Sequence, residues 1–535
     1  MATQVLTEFQ IFEPSPALAN NAASQSPKSD GRSAETRPAA RGLRDTEAPV
    51  ILSKGRTVIV ISYLIALTVF NSFCNGVIVV GLPAIASSLH LEEGLRLWPT
   101  SVFYLTAGSC LLLAGSIADV AGTRRVNLIG AFLGAIFAVA FGLARTGGEL
   151  IAFRALQGIA NAIFVPSSVS IVSQSVEDGR PRNIGFSCLG FSQPIGFSVG
   201  LVLGGVFVDT VGWRVPFYIA GAVIFASFLI GVWVLPQDVR VRTRPSVWRR
   251  LLSEIDWVGA LIASTGLATL SYILAVLSDD INNIHRPSNI ALLTISGISV
   301  PAFIGWMHYQ VKSNRVALIP NYLWRNSTFV SSCIIILLTS AVTNCMELYT
   351  SLFFQDVQDQ SALEASLRIL PSLIVGALAG MTTGIFVNRM PVMWAAFLCS
   401  AITAGAPLLM ALIHASWPYW YDAFFAQVLA PVSGDVLFTV GLLIRSDVFP
   451  AHMQALGGAV FNTCAQVGTA IGLTLTSLIA SSVTKGSNYH DKSSAGALGV
   501  GYRAVFWTLF AWMIAVCVVS VLGYRRIGGV GMKRD

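Results

Sequence analysis

The chain is poor in charge. Of its 535 residues only 11% are Asp, Glu, Lys or Arg, against 54% hydrophobic, and the mean hydropathy is +0.68. An ordinary globular domain carries about 25% charged residues, so the composition excludes a water-soluble fold and indicates an integral membrane protein. Strict alternation of apolar and polar residues is missing as well. Runs such as LLTISGISVPAFIGWM alternate nowhere, which excludes the roughly ten-residue strand pattern of an outer-membrane barrel and leaves helices.

There is no disulfide framework. The eight cysteines, Cys74, Cys110, Cys188, Cys333, Cys345, Cys399, Cys464 and Cys517, all fall inside apolar runs without metal-ligand spacing. They read as small buried hydrophobes, and no metal is expected. Residues 1–56 hold no apolar signal-peptide core, only Ala, Ser, Pro and scattered charge, and read as a disordered tail. Walker loops and nucleotide fingerprints are also lacking, so no cofactor and no ATP-driven step are expected. One enzyme signature occurs by its letters alone: GFSVG at 196–200 matches G-x-S-x-G. That motif needs a strand and a sharp turn before a helix. Here it lies within a helical run, so the chain is not read as an enzyme.

What is present is a series of apolar runs of about 20 residues, the length that crosses a bilayer as a helix. They fall near 57–84, 98–119, 126–144, 150–173, 184–207 and 216–235, then 257–277 and 289–308, then 328–354, 363–387, 391–413, 418–444, 453–483 and 503–524. Fourteen spans follow, arranged as a first half over 57–235, a basic linker with two extra helices over 236–326, a second half over 327–524 and a tail over 525–535. Of the 34 Lys and Arg residues, 25 lie on the side of the termini and 8 on the other, with Arg154 inside a span. This asymmetry places both termini in the cytoplasm and accounts for the net charge of +7 without any nucleic-acid partner. On this topology the Asn326-Ser327-Thr328 sequon faces the cytoplasm and carries no glycan.

The glycines hint at an internal repeat. Gly185, Gly196 and Gly200 stand 272 positions before Gly457, Gly468 and Gly472. Gly115 and Asp119 stand 269 before Gly384 and Asn388. Two parallel six-helix halves are expected. Gly196, Gly200 and Gly204 recur every fourth residue and line one face of the fifth helix, a surface that either packs statically or slides.

Ionisable groups inside spans cost about 2.5–3.5 kcal/mol at the bilayer centre, so each is a functional candidate. Asp435, beside Pro431 and Gly434, and Glu347 are candidates to carry protons. Arg154 lies about one turn into the fourth helix, about 6 to 8 Å below the outer surface. It either snorkels to the interface or faces inward and favours the ionised form of a nearby carboxylate. Asn75, Gln193 and Gln466 are candidates to line a polar substrate site.

GSIADVAGTRR at 115–125 resembles the loop between helices two and three of the major facilitator superfamily, through Gly115, Asp119, Gly122, Arg124 and Arg125. Arg154, Gln157 and Gly158 resemble the fourth-helix motif of that family's proton antiporters. Gly196 to Gly205, with Gly200, Gly204 and Gly205, resembles the fifth-helix motif, although Leu201 stands where a proline usually follows. Fourteen spans and DWVGALIASTGLATLSY at 256–272 are similar to the drug/proton antiporter branch, particularly fungal multidrug and secondary-metabolite efflux pumps. The resemblance implies an all-α major facilitator fold of two six-helix halves with two helices inserted between them, and an inner gate at the 115–125 loop. It implies an efflux pump that exchanges protons for a small amphipathic substrate across the cell membrane, with a vacuolar or vesicular membrane as the alternative. It implies a monomer in contact with lipid. In place of the aspartate that many fourteen-helix members carry before their first-helix Leu-Pro pair, this chain has Cys74 ahead of Leu82 and Pro83. A carboxylate elsewhere must then carry the proton. Competing functions are a carrier of a small polar or inorganic solute and a transporter-like membrane sensor.

Overall fold

The computed structural model describes residues 53–525, except 92–94, 177–179, 238–248, 252–254, 280, 314, 316–317, 320, 387–390, 415, 435 and 438–453. The side chains of some helical residues, Asp119 among them, also lie outside the described set. All regular structure among the described residues is helical. The long helices are α1 (Lys54–Ser88), α2 (Trp98–Ala121), α3 (Thr123–Leu143), α4 (Gly147–Ser175), α5 (Arg180–Thr210), α6 (Val215–Val234), α7 (Trp257–Asp279) and α8 (Pro287–Lys312). They continue as α9 (Ser327–Leu352), α10 (Ala362–Phe386), α11 (Val392–Leu412), the short α12 (Ala423–Leu429), α13 (Gln454–Gly486) and α14 (Ala495–Tyr524).

Twelve of these helices are long and apolar enough to cross a membrane, and the apolar segments Trp257–Leu270 and Ala423–Gly434 are shorter. Those two segments belong to the seventh and twelfth expected spans. The candidate Asp435 and the end of the twelfth span from residue 438 on lie outside the described residues. The largest boundary difference is at α14, which starts at Ala495 and not near 503. Its cap explains the extra turns: the Ser494 hydroxyl accepts from the Ala497 N–H at 3.4 Å, so a run of small residues that reads as loop begins the helix.

We call the end of the bundle where α1 begins the near face, and the end where α1 stops the far face. Within the first group α5 lies parallel to α1, and the two are nearly in backbone contact. A Cβ on Gly196 would fall 2.7 Å from the Cα of Val69, and one on Gly200 2.7 Å from the Cα of Phe73. Only glycine permits so close an approach. The same construction recurs where α13 lies along α9: a Cβ on Gly468 would fall 2.8 Å from the Cα of Leu337, and one on Gly472 3.1 Å from the Cα of Ala341. The glycines that align 272 positions apart in the sequence thus perform the same job on two helix pairs.

The helices α7 and α8 pack on each other, and α7 lies along α2 and α13. Its Ser264 hydroxyl donates to the Ser109 carbonyl at 2.7 Å. Asp256 starts α7: its Oδ1 accepts from the Gly259 N–H at 2.8 Å and from the Trp306 indole on α8 at 2.9 Å. This gives the DWVG sequence a structural reason, since one carboxylate both caps the helix and ties it to its neighbour.

Candidate functional site

Thr146 caps α4 by accepting from the Glu149 N–H at 3.2 Å. Two turns further on, α4 presses against α2 at Gly158, where a Cβ would fall 3.2 Å from the carbonyl carbon of Phe103. The Thr106 hydroxyl on α2 donates to the Ala155 carbonyl at 2.9 Å and fastens the same contact. These contacts hold Arg154 inward. Its side chain is 0% exposed, so it does not snorkel, although its depth would have allowed the long side chain to reach the interface.

The guanidinium is satisfied without a carboxylate. Its Nε donates to the Pro99 carbonyl at 3.1 Å, one terminal nitrogen donates to Gln157 Oε1 at 2.5 Å, and the other donates to Asn75 Oδ1 on α1. Its planar face lies 4.2 Å from the centre of the Phe103 ring, with Phe141 at 5.9 Å. Hydrogen bonds and ring faces lower the cost of burying the charge, but they leave a net positive charge in an apolar interior. Cys74, fully buried, stands within that charge's reach.

Tyr104 connects this group to the second half of the chain. Its hydroxyl donates to Asn344 Oδ1 on α9 at 3.0 Å, and the Asn344 amide donates to Thr469 on α13 at 3.2 Å. The same hydroxyl lies within electrostatic reach of both Arg154 and Glu347. Glu347, about one turn beyond Asn344 on α9, is half-buried. Arg154 on the Phe103 ring and Glu347 one turn beyond Asn344, 193 positions apart, are thus linked through Tyr104.

Above the site, at the far face, the two halves are joined. Pro83 has no N–H, so the Val79 carbonyl lacks its helical donor. The Ser351 hydroxyl on α9 donates to it at 3.2 Å, and the Gln355 amide donates to the next carbonyl, Val80, at 3.1 Å. After α9 a single π-turn, Phe353–Val357, presents Asp356. Asp356 accepts from Arg96 at 2.8 Å and from the Tyr502 hydroxyl on α14 at 2.6 Å. Gly205 adds a close contact between α5 and α10, where a Cβ would fall 2.7 Å from Ser366 Oγ. Asp209 accepts from the Leu363 N–H at 2.9 Å in the same seam.

The other sequence candidates fall elsewhere. Gln466 on α13 faces α2, 3.2 Å from where a Cβ on Gly108 would lie. Gln193 is exposed and is not among the groups that Arg154 touches. Gly196, Gly200 and Gly204 face α1 within their own half, whereas Gly205 faces the other half. At the near face Gly122 has φ +106° and breaks the chain between α2 and α3, a conformation that glycine alone adopts freely. Arg124 donates to the Val232 carbonyl at 2.5 Å, Arg125 is exposed, and Gly115 makes ordinary contact with Pro166. Sequence reasoning missed Tyr104, Asn344, Arg96 and Asp356, because each is unremarkable in its own segment. Asn127 was also missed. Fully buried, it accepts from the Tyr63 hydroxyl at 3.0 Å and donates to Ser168 at 2.9 Å, and an asparagine within an apolar run was the available signal.

A bundle of membrane-spanning helices built as two similar halves, with a buried charge inside the first, is the build of a solute transporter and not of an enzyme. The family model of the Major Facilitator Superfamily matches residues 64–473, and the chain belongs to that family. It is 37% identical over 528 residues to MFS-type transporter 1 of Pyricularia oryzae, covering 90% of this chain and 85% of that protein. It is 27% identical over 395 residues to the low affinity ammonium transporter of Saccharomyces cerevisiae, covering 73% and 74%. It is 25% identical over 463 residues to the efflux pump terG of Aspergillus terreus, covering 83% of each. Among solved structures it resembles a bacterial homologue of the human lysosomal transporter Spinster in an inward-facing, occupied conformation, with a TM-score of 0.62 at 14% identity over 89% of this chain and 98% of that one. That likeness concerns the fold.

Proposed function

We propose that the chain exports an amphipathic organic compound in exchange for protons. In this reading it crosses the plasma membrane fourteen times as a monomer, and both termini are cytoplasmic. The observation that carries the proposal is the link through Tyr104: it follows Phe103, on whose ring Arg154 lies, and its hydroxyl donates to Asn344, one turn before Glu347 in the other half. An ionised Glu347 is drawn toward the buried guanidinium, and protonation cancels that attraction. Proton binding thereby changes the force between the halves, which is what coupling to alternating access requires. The far face is joined by Arg96, Asp356 and Tyr502, and in this reading substrate loads from the near, cytoplasmic side.

The ammonium-transporting relative supports a second reading, but the site argues against a small cation. A guanidinium about 6 Å away repels a unit positive charge by roughly 3 kcal/mol at an effective dielectric of about 20. Neutral or weakly anionic amphipathic solutes meet no such barrier, and the relative described as an efflux pump is consistent with them.

Reconstitution in proteoliposomes with an imposed proton gradient and a lipophilic dye tests the proposal. Glu347→Gln keeps size and hydrogen bonding but removes titration, so uphill dye transport should fall at least about tenfold while downhill exchange persists. Asp435→Asn is the companion variant. Uphill transport that survives Glu347→Gln but fails in Asp435→Asn would transfer the proton to Asp435.

A further inference from the structure

The parallel seam between α9 and α13 keeps one register along its length. Leu337 meets Gly468, Ala341 meets Gly472, and the Cys345 sulfur lies 3.5 Å from the Thr476 hydroxyl, each pair 131 positions apart. One turn toward the near face from the Leu337–Gly468 contact, the same register places Cys333 opposite Cys464. Both are free thiols, Cys333 buried and Cys464 half-buried. Cys333 belongs to one apolar cluster with Phe329 and Phe461, and Cys464 packs against that cluster.

A disulfide needs its two Cβ atoms about 3.8 Å apart and directed at each other. Few helix pairs bring cysteines so close, because side chains usually hold the axes 8–10 Å apart. Here the glycine one turn away brings the backbones together, and the shared register aims the two Cβ atoms across the narrowed gap.

We propose that Cys333 and Cys464 form a redox pair that a hydroperoxide closes into a disulfide, stapling α9 to α13. The more accessible Cys464 thiol attacks the peroxide oxygen, giving a sulfenic acid and an alcohol, or water when the oxidant is hydrogen peroxide. The Cys333 sulfur then attacks the sulfenic sulfur, the S–S bond forms, and water leaves. Two thiols lose two hydrogens and the peroxide is reduced. The pair lies about 9 to 15 Å into its helices from the near face, so the physiological oxidant class is a hydroperoxide able to enter the bilayer, such as an oxidised lipid. A small thiol reductant reverses the bond. This inference is independent of the substrate and of the proton site.

The test uses the full chain in lipid nanodiscs, treated with hydrogen peroxide, blocked with N-ethylmaleimide and mapped by mass spectrometry. Wild type should yield a dithiothreitol-reversible cross-link between the peptides bearing Cys333 and Cys464, with an upward shift in Tm, because the cross-link closes a long loop and restricts the unfolded chain. Cys464→Ser, and separately Cys464→Ala in case the serine variant folds poorly, should abolish both. Maleimide on both cysteines after peroxide, a sulfinic acid on either, or a cross-link to any third cysteine would overturn the proposal. A cross-link without a Tm shift would overturn the staple.

Discussion

Arg154 draws on atoms from three helices for its partners. Pro99 and Phe103 come from α2, Gln157 from α4 and Asn75 from α1. Lysine at this position keeps the charge but cannot donate in three fixed directions or lie flat on the Phe103 ring. Arg154→Lys should therefore express and fold, yet lose about tenfold in transport, because a mobile ammonium holds a weaker and less directed field at Tyr104 and Glu347. Uptake assays at matched protein levels check this. Wild-type transport in Arg154→Lys would mean that the charge alone matters and its geometry does not. The single-letter sequence made Arg154 visible, since a charge within an apolar run stands out. Tyr104 and Asn344 gave no such signal, because aromatic and amide side chains occur in many spans without consequence.

At the scale of helices, glycine decides which pairs touch and which separate. Gly200 is seated on the backbone of Phe73 within one half, whereas Gly205, five residues on, meets Ser366 across the boundary between halves. Two leucine substitutions on one helix should thus fail differently. Gly200→Leu must push α1 from α5 along a backbone-to-backbone seam within one half, and should lower folded yield, as overpacking costs about 1–3 kcal/mol or more. Gly205→Leu wedges a boundary that opens during the cycle, and should slow transport while leaving yield near wild type. Size-exclusion yield and transport measured together separate the two; equal losses of yield would show that the α5–α10 contact is also a fixed one. The spacing of Gly196, Gly200 and Gly204 was legible as a close-packed stripe. Which helix it meets was not, because a period of four fixes a face and leaves its partner undetermined.

For the whole molecule, the side on which each loop lies governs every functional statement. A cysteine introduced at the exposed Arg125 should react with an impermeant maleimide only from the cytoplasm, and one at Asn283, in the segment between α7 and α8, only from outside. Labelling intact cells and inside-out vesicles checks both sites, and labelling on the reversed sides would turn the far-face junction of Arg96, Asp356 and Tyr502 into a cytoplasmic gate and reverse the loading direction proposed above.

By itself the sequence determined that this is a helical membrane protein, where its apolar runs lie and that glycines recur at matching places. These are properties of short segments, set by the cost of exposing backbone and charge to hydrocarbon, and so are written locally. The tertiary structure decided which distant residues share a neighbourhood: Arg154 with Asn75 and Tyr104, Asn344 with Thr469, Arg96 with Asp356, Cys333 with Cys464. The physical reason is that a transmembrane helix satisfies its backbone alone, and its choice of neighbour rests on side-chain packing and a few hydrogen bonds between segments. A local pattern shows that a face is available for packing; only the assembled bundle establishes what occupies it.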